Sequence, residues 1–397
     1  MNGWKEMCLS EFCRIGSGGT PSRSNLTRYY EGGNIPWVKS GELRESVITK
    51  TEEHITEAAL KETNARIVPA GALLLAMYGA TVGRLGILGV EAATNQAVCH
   101  IIPDPKTADT RFLFQALSNQ VPNIVARGVG GAQPNISQGI IKDLKLALPP
   151  LAEQRRIAEV LDKAEALRAK RRAALAQLDY LTQSLFFDLF GDTRKDRTRW
   201  EIVPLEEIVK ETKLGLVRGS QEFGPEFEIP YVRMNAVTRN GELELGNVQR
   251  THATEAEIEA YRLEPGDFLF NTRNSEELVG KTALYRGGGL HLFNNNLMRV
   301  RFTTKADPVF VAVAFKTPFV QQELNLRKSG TTNVFAIYYK DLRSLPLPLP
   351  PIDLQREFAR RVAAVEKLKA AQKASLTDLD ALFSSLQQRA FSGELFA

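Results

Sequence analysis

Cysteine is scarce in this chain. Its 397 residues hold three, Cys8, Cys13 and Cys99, an odd number with no Cys-x-x-Cys pair, which excludes a disulfide framework and a zinc ribbon. The four histidines, His54, His100, His252 and His291, stand apart from any cysteine or carboxylate cluster of metal-ligand spacing. Buried thiols and surface imidazoles are expected, and no metal. Long apolar runs are missing too. The longest candidate, residues 71–77, falls far short of the roughly 20 residues that cross a bilayer. The first residues show no basic-then-apolar leader pattern, so the expected location is the cytoplasm.

Catalytic signatures are equally thin. Gly16-Ser17-Gly18-Gly19-Thr20-Pro21 is glycine-rich, but it lacks the Lys-Ser/Thr of a P-loop and the spacing of a dinucleotide fingerprint. It fits a turn whose backbone can approach a phosphate. Gly79-Ala80-Thr81-Val82-Gly83-Arg84 ends in arginine rather than Gly-Lys-Ser. Asn34-Ile35-Pro36-Trp37 approaches the loop of amino-methyltransferases, yet Ile35 stands where a proline is required. A nuclease needs metal-binding carboxylates and a lysine in order, and Glu211-Thr212-Lys213 is only half of that pattern. The chain reads as a binder with no cofactor.

What the sequence does have is a globular composition, 43% hydrophobic and 24% charged with a net charge of +5, and length for two or three domains. It also repeats itself after about 200 residues. Trp4 returns as Trp200, and Ile35-Pro36-Trp37-Val38 as Ile229-Pro230-Tyr231-Val232. Val82-Gly83-Arg84 returns as Val279-Gly280-Lys281, and Asn95-Gln96 is matched to Asn295-Asn296. Ile141-Lys142-Asp143-Leu144 returns as Tyr339-Lys340-Asp341-Leu342. Leu148-Pro149-Pro150 with Gln154-Arg155 returns as Leu349-Pro350-Pro351 with Gln355-Arg356. The order never changes, as a duplicated domain with altered loops requires.

Each half begins with a mixed segment. Strands are expected at 66–68, 73–77, 87–90 and 98–102, then at 268–271, 282–285 and 298–302. Short helices are expected at 56–62, 111–118, 254–261 and 308–315. The Pro-Pro pairs close these segments, since proline cannot continue a ladder. Residues 151–190 and 352–392 then contain neither proline nor glycine. Heptads counted from Ile157 put Ile157, Ala164, Arg171, Leu178 and Leu185 at a, with Val160, Leu167, Ala174 and Leu181 at d. In the second stretch Phe358, Val365, Gln372, Leu379 and Leu386 fall at a, Leu368 and Leu382 at d, and Val362 and Leu376 at e. The pattern predicts two helices pairing as an antiparallel coiled coil, with Ile157 near Leu386. The expected fold is α+β: two tandem α/β domains, 1–150 and 193–351, separated by helices at 151–192 and 352–397.

This plan resembles the specificity subunits of type I restriction-modification systems. Gly18-Gly19-Thr20-Pro21-Ser22, Ala93-Thr94-Asn95-Gln96-Ala97, Gln133-Pro134-Asn135-Ile136-Ser137 and Leu148-Pro149-Pro150-Leu151-Ala152-Glu153-Gln154-Arg155-Arg156-Ile157 all read like that family, as does Ala390-Phe391-Ser392-Gly393-Glu394-Leu395. The second half departs from it. Gly-Gly-Thr-Pro is missing around 212–220, and Pro350-Pro351 is followed by Ile352-Asp353-Leu354. The resemblance implies two target recognition domains, each reading half of a split site on double-stranded DNA. It implies helices that set their separation and dock two methylation (M) subunits, with restriction (R) subunits joining through the complex. The subunit itself is then not an enzyme. A methyltransferase using S-adenosylmethionine, or a fragment of a fused single-chain restriction enzyme, stays open as the alternative.

Candidate readers combine a turn with a side chain suited to base edges or phosphates. In the first domain they are Lys39, Ser40, Tyr78, Thr81, Arg84, Asn95, Gln96, Gln133 and Asn135. In the second they are Arg233, Asn235, Arg273, Asn274, Lys281, Asn295, Asn296, Arg327, Lys328 and Asn333.

Overall fold

The structure, a computed structural model, describes residues 4–44, 47–128, 135–331 and 333–396. The chain forms two compact units, residues 1–172 with 374–397, and residues 173–373. No helix among the described residues is long and apolar enough to cross a membrane.

In the first unit a five-stranded sheet runs in the order Cys13–Ser17, Val98–Pro103, Leu73–Ala76, Leu85–Leu88, Val47–Ile48. Leu73–Ala76 is buried along its whole length, because its alternating side chains serve two cores. Leu73 and Leu75 join Phe112, Leu117 and Ile157, while Leu74 and Ala76 join Val38, Leu88 and Val98. A second sheet, Glu53–Ile55, Ile35–Val38, Ala92–Thr94, Ile67–Val68, has a parallel pair at its centre. The second unit repeats the plan. Val209–Leu214, Leu297–Phe302, Phe268–Asn271 and Thr282–Leu284 form one sheet, and Gln249–Thr251, Ile229–Val232 and Leu292–Phe293 another. Its last two strands are again parallel.

One buried amide closes each unit. Gln154, 1% exposed, donates from Nε2 to the carbonyls of Pro149 (2.8 Å) and Thr107 (3.0 Å), and its Oε1 accepts from the Asp109 backbone N (2.8 Å). Asp109 in turn caps the helix Thr110–Ala126, accepting from the backbone N of Arg111 and Phe112. Gln355 does the same for Pro350, Lys305 and Asp307, and Asp307 caps Pro308–Ala314. The helix Thr110–Ala126 passes through Pro122, well beyond the expected end at 118.

Leu151–Phe190 and Ile352–Ser392 are continuous helices of 40 and 41 residues, and they pair antiparallel as expected. In the first unit Ile157 and Leu161 are buried with Phe383 and Leu386 against them, and Arg168 Nε reaches Asp380 at 2.6 Å. In the second, Phe186 and Phe190 meet Phe358 at 5.6 and 5.3 Å between ring centroids. The expected seam needs correction. Positions a are inside, but their partners are the e positions (Leu161 and Arg168, Val362 and Phe383), not d. Leu167 and Leu382 are each 50% exposed, Leu181 40% and Leu368 53%. Spacings of three and four residues fit either frame, so the apolar stripe is wider than the helix contact.

Replacing Gln154 leaves two carbonyls and a buried N–H without partners, at about 1–3 kcal/mol per group. Gln154→Ala is expected to lower the unfolding midpoint by roughly 5–10 °C and Gln154→Glu by more, since it buries a carboxylate between carbonyls. Thermal unfolding checks this, and an unchanged midpoint in both variants refutes it.

Candidate nucleic-acid interface

The parallel pair in each unit brings two strand ends to one edge. In the first, Asn95 N donates to Val38 O (2.9 Å), so Lys39 and Ser40 leave one strand beside Asn95 and Gln96 leaving the other. The loop at Gly18 crosses this edge. Gly19 N donates to Thr94 O (2.9 Å) and Gln96 N to Thr20 Oγ1 (3.5 Å). A Cβ on Gly18 would lie 1.9 Å from Thr94 O, so only glycine fits there. The indole N–H of buried Trp37 donates to Gly19 O (3.1 Å) and fixes the loop.

Tyr78 follows the strand Leu73–Ala76. Met77 N donates to Ala97 O, and Ile136 N to Met77 O, which draws Tyr78, Gln96 and Asn135 together. Burial raises the Tyr78 phenol above its ordinary value, against a hydrogen bond with the Gln96 side chain that lowers it. Thr81 ends the turn Gly79–Thr81. Arg84 is exposed, and no salt bridge engages it among the described residues. Lys39 is committed elsewhere: its ammonium sits 2.9 Å from Glu53 and 3.0 Å from Glu52. Those carboxylates, Glu53 first, hold it above its ordinary value. Gln133 lies outside the described residues.

The second unit repeats the edge. Asn294 N donates to Val232 O (2.9 Å) and Leu216 N to Phe293 O (2.8 Å), while the Tyr231 hydroxyl donates to Leu216 O. Asn294 therefore occupies the place of Asn95, and Asn295 that of Gln96. Matching by residue type had set the repeat one residue too far on. Asn95 Oδ1 and Asn294 Oδ1 are both buried without a hydrogen-bond partner among the described residues, a further sign of equivalence. Gly215 does the work of Gly18, since a Cβ there would lie 2.3 Å from Asn294 O. Sequence reasoning missed it because the flanking Thr-Pro is absent. A glycine upstream of the aromatic strand was the available signal.

Arg233 and Asn235 are exposed beyond Val232, with Arg233 hydrogen-bonded to Gln249 Oε1 (2.8 Å). Arg273 takes the position of Tyr78 and donates to the Tyr338 hydroxyl (2.8 Å). Its strand Arg273–Asn274 pairs with Val334–Ala336, which places exposed Asn333 on the same ribbon; Asn274 Oδ1 accepts from Ser275 N. Other candidates turn inward. The Lys281 ammonium donates to the carbonyls of Val237 and Met234, and burial, then the charge of Arg239, pushes it below its ordinary value. The backbone equivalence with Arg84 holds, because Ala76 N donates to Arg84 O and Asn271 N to Lys281 O, yet the two side chains part. Asn296 contacts Met234 Sδ (3.7 Å). Arg327 pairs with Glu323 (2.8 Å) and Lys328 donates to Glu276 O (2.7 Å). The edges thus present Ser40, Thr81, Arg84, Gln96 and Asn135 in one unit, and Arg233, Asn235, Arg273, Asn295 and Asn333 in the other. Among the described residues no group of His, Cys, Asp and Glu could hold a metal ion.

Two glycine-locked strand edges presenting arginines and amides suit groove reading. The chain is similar over its full length to the EcoKI specificity subunit of Escherichia coli K12, at 23% identity over 423 residues and 90% of that protein. It is 22% identical to the StySPI specificity subunit of Salmonella potsdam, with 100% of this chain and 90% of that protein covered. The fold is similar to the type I restriction-modification S subunit from M. genitalium, with TM-score 0.58, 16% identity, and 98% of this chain and 97% of that one covered. A chain from a study of assembly and conformational transition in a type I system gives TM-score 0.55, 19% identity, and 100% and 99% coverage. The family model for the type I restriction modification DNA specificity domain matches twice, at residues 1–177 and 198–378, and the chain belongs to that family.

Proposed function

We propose that this chain is the DNA-binding specificity subunit of a type I restriction-modification complex, reading a bipartite site with one unit per half-site. The observation that carries the reading is the duplicated strand edge. Its backbone hydrogen bonds coincide in the two units while its outward side chains differ, as two readers of different sequences require. Full-length likeness to specificity subunits favours this reading over a methyltransferase. The chain recognises double-stranded DNA, and its partners carry the chemistry.

The exposed d-position leucines support docking of two methylation subunits, with restriction subunits recruited through the complex. Leu167 and Leu382 belong to the first unit, Leu181 and Leu368 to the second. Leu181, Leu368, Tyr180 and Leu178 line an apolar groove of about 450 Å³. Each unit thus leaves two exposed leucines on its helix pair.

Three outcomes are expected. In cells supplying the chain and its methylation partners, methylation-site sequencing should yield one bipartite motif, and exchanging residues 4–148 for a relative's should change one half only. A change in both halves refutes independent reading. Arg84→Ala should relax the motif at one position of the first unit's half-site, and Arg273→Ala at one position of the other. A bidentate base contact is worth about 1–3 kcal/mol, and uniform weakening across sequences would instead make these residues phosphate contacts. Leu181→Glu with Leu368→Glu should cut the methylation subunits bound per chain from two to one in native mass spectrometry. Two subunits retained would remove the leucine patch from the docking surface.

A further inference from the structure

In the second unit a hairpin reaches from the globular part onto the C-terminal long helix, and through Lys369 is tied to the central one. The segment from Val237 to Leu243 closes through an antiparallel bridge. Thr238 N donates to Glu242 O and Gly241 N to Thr238 O, and Gly241 takes the left-handed φ of +74° of the bulge glycine that follows such a turn. At the tip, Glu242 Oε2 lies 2.6 Å from Lys373 Nζ and Oε1 3.3 Å from Lys369 Nζ. The Lys369 side chain is only 9% exposed and also binds Asp179 at 2.7 Å and Glu366 at 3.3 Å. One ammonium therefore joins three elements: the central helix, the C-terminal helix and the hairpin. Lys316 adds a hydrogen bond to Asn240 O (2.6 Å). An isolated surface pair has little effect on stability, but a largely buried lysine shared by three carboxylates fixes geometry.

The described residues of the first unit show no such clamp: Glu53, the register counterpart of Gln249, binds Lys39 within the globular part, as Gln249 binds Arg233. Among the described residues of 41–51, no ion pair reaches a helix. The clamp is also continuous with the reading edge. Arg233 and Asn235 begin the segment that ends at Glu242, and Glu244 N donates back to Ala236 O.

We propose that Glu242 is a positioning residue that, through Lys369 and Lys373, fixes the orientation of the second unit's reading edge on the helix pair. This rests on the DNA-reading function above. Base-edge hydrogen bonds tolerate only about 0.5 Å of displacement, so a clamp at the far end of the reading segment governs stringency without touching DNA.

Charge reversal tests the proposal in the full chain. Glu242→Lys sets a third cation against Lys369 and Lys373, and Lys373→Glu in the same chain restores an opposite pair. Amide hydrogen exchange across residues 233–244 should rise about fivefold in the single variant and return toward the parent in the double. Unchanged exchange in the single variant, or no recovery in the double, overturns the clamp. In cells with the methylation partners, Glu242→Lys should broaden the half-site read by the second unit and leave the other unaltered, and the double variant should restore it. A motif unchanged by Glu242→Lys overturns the positioning role. If the parent chain directs no bipartite methylation, the DNA-reading function fails instead, while hydrogen exchange still judges the clamp.

Discussion

The architecture depends on a glutamine with no freedom to move. Gln154 and Gln355 each bind the carbonyl of the first proline before the long helix, a loop carbonyl, and the backbone N–H of a helix-capping aspartate. Buried amides must be paired, and here one side chain satisfies three backbone groups from two chain segments. The capped helix then plants a phenylalanine against the incoming partner helix. Phe112 lies 5.9 Å from Phe391, and Phe310 lies 5.6 and 4.9 Å from Phe186 and Phe190. In each unit the amide fixes where one long helix starts and the aromatic pocket receives where the other ends. Antiparallel pairing follows from repeating that arrangement twice.

The strand edge proposed to read DNA follows the same logic of a rigid frame with variable side chains. Trp37 and Tyr231 each donate a polar hydrogen to a loop carbonyl from a buried aromatic body. Gly18 and Gly215 let that loop lie against the next strand end. Nothing in this frame depends on which residue follows it outward, so Gln96 and Asn295, or Tyr78 and Arg273, can differ freely. Acidic and carbonyl partners remove Lys39, Lys281, Arg327 and Lys328 from that outer set. What remains is a small group of arginines, amides and hydroxyls, side chains suited to base edges.

Much of this was legible in the sequence, and the rest failed for identifiable reasons. The strand at Leu73–Ala76, the capped helices and both long helices follow from periodicity and from proline and glycine placement, which act locally. The repeat register at Asn294 did not, because three consecutive asparagines give residue matching nothing to choose between; only the hydrogen bond to Val232 O fixes it. Gly215 was hidden because the close approach that demands it comes from a strand about 80 residues away. The fate of Lys281 was equally invisible. A lysine beside a glycine turn reads the same whether its amine points to solvent or to two carbonyls.

The heptad frame is the most instructive of these cases. A stripe with apolar residues at a, d and e can be cut two ways, and the sequence alone does not say which cut faces the partner helix. The structure buries a with e and leaves four leucines at d about half exposed. Fully burying a leucine is worth about 1.5–3 kcal/mol, so each half-exposed one keeps roughly 1 kcal/mol available for another surface to claim. Had the helices used a and d instead, Leu161 would be exposed and its contact with the globular core of the first unit lost. The chosen frame serves both demands. One edge of the stripe closes the helix pair onto the recognition units, and the other remains for a partner.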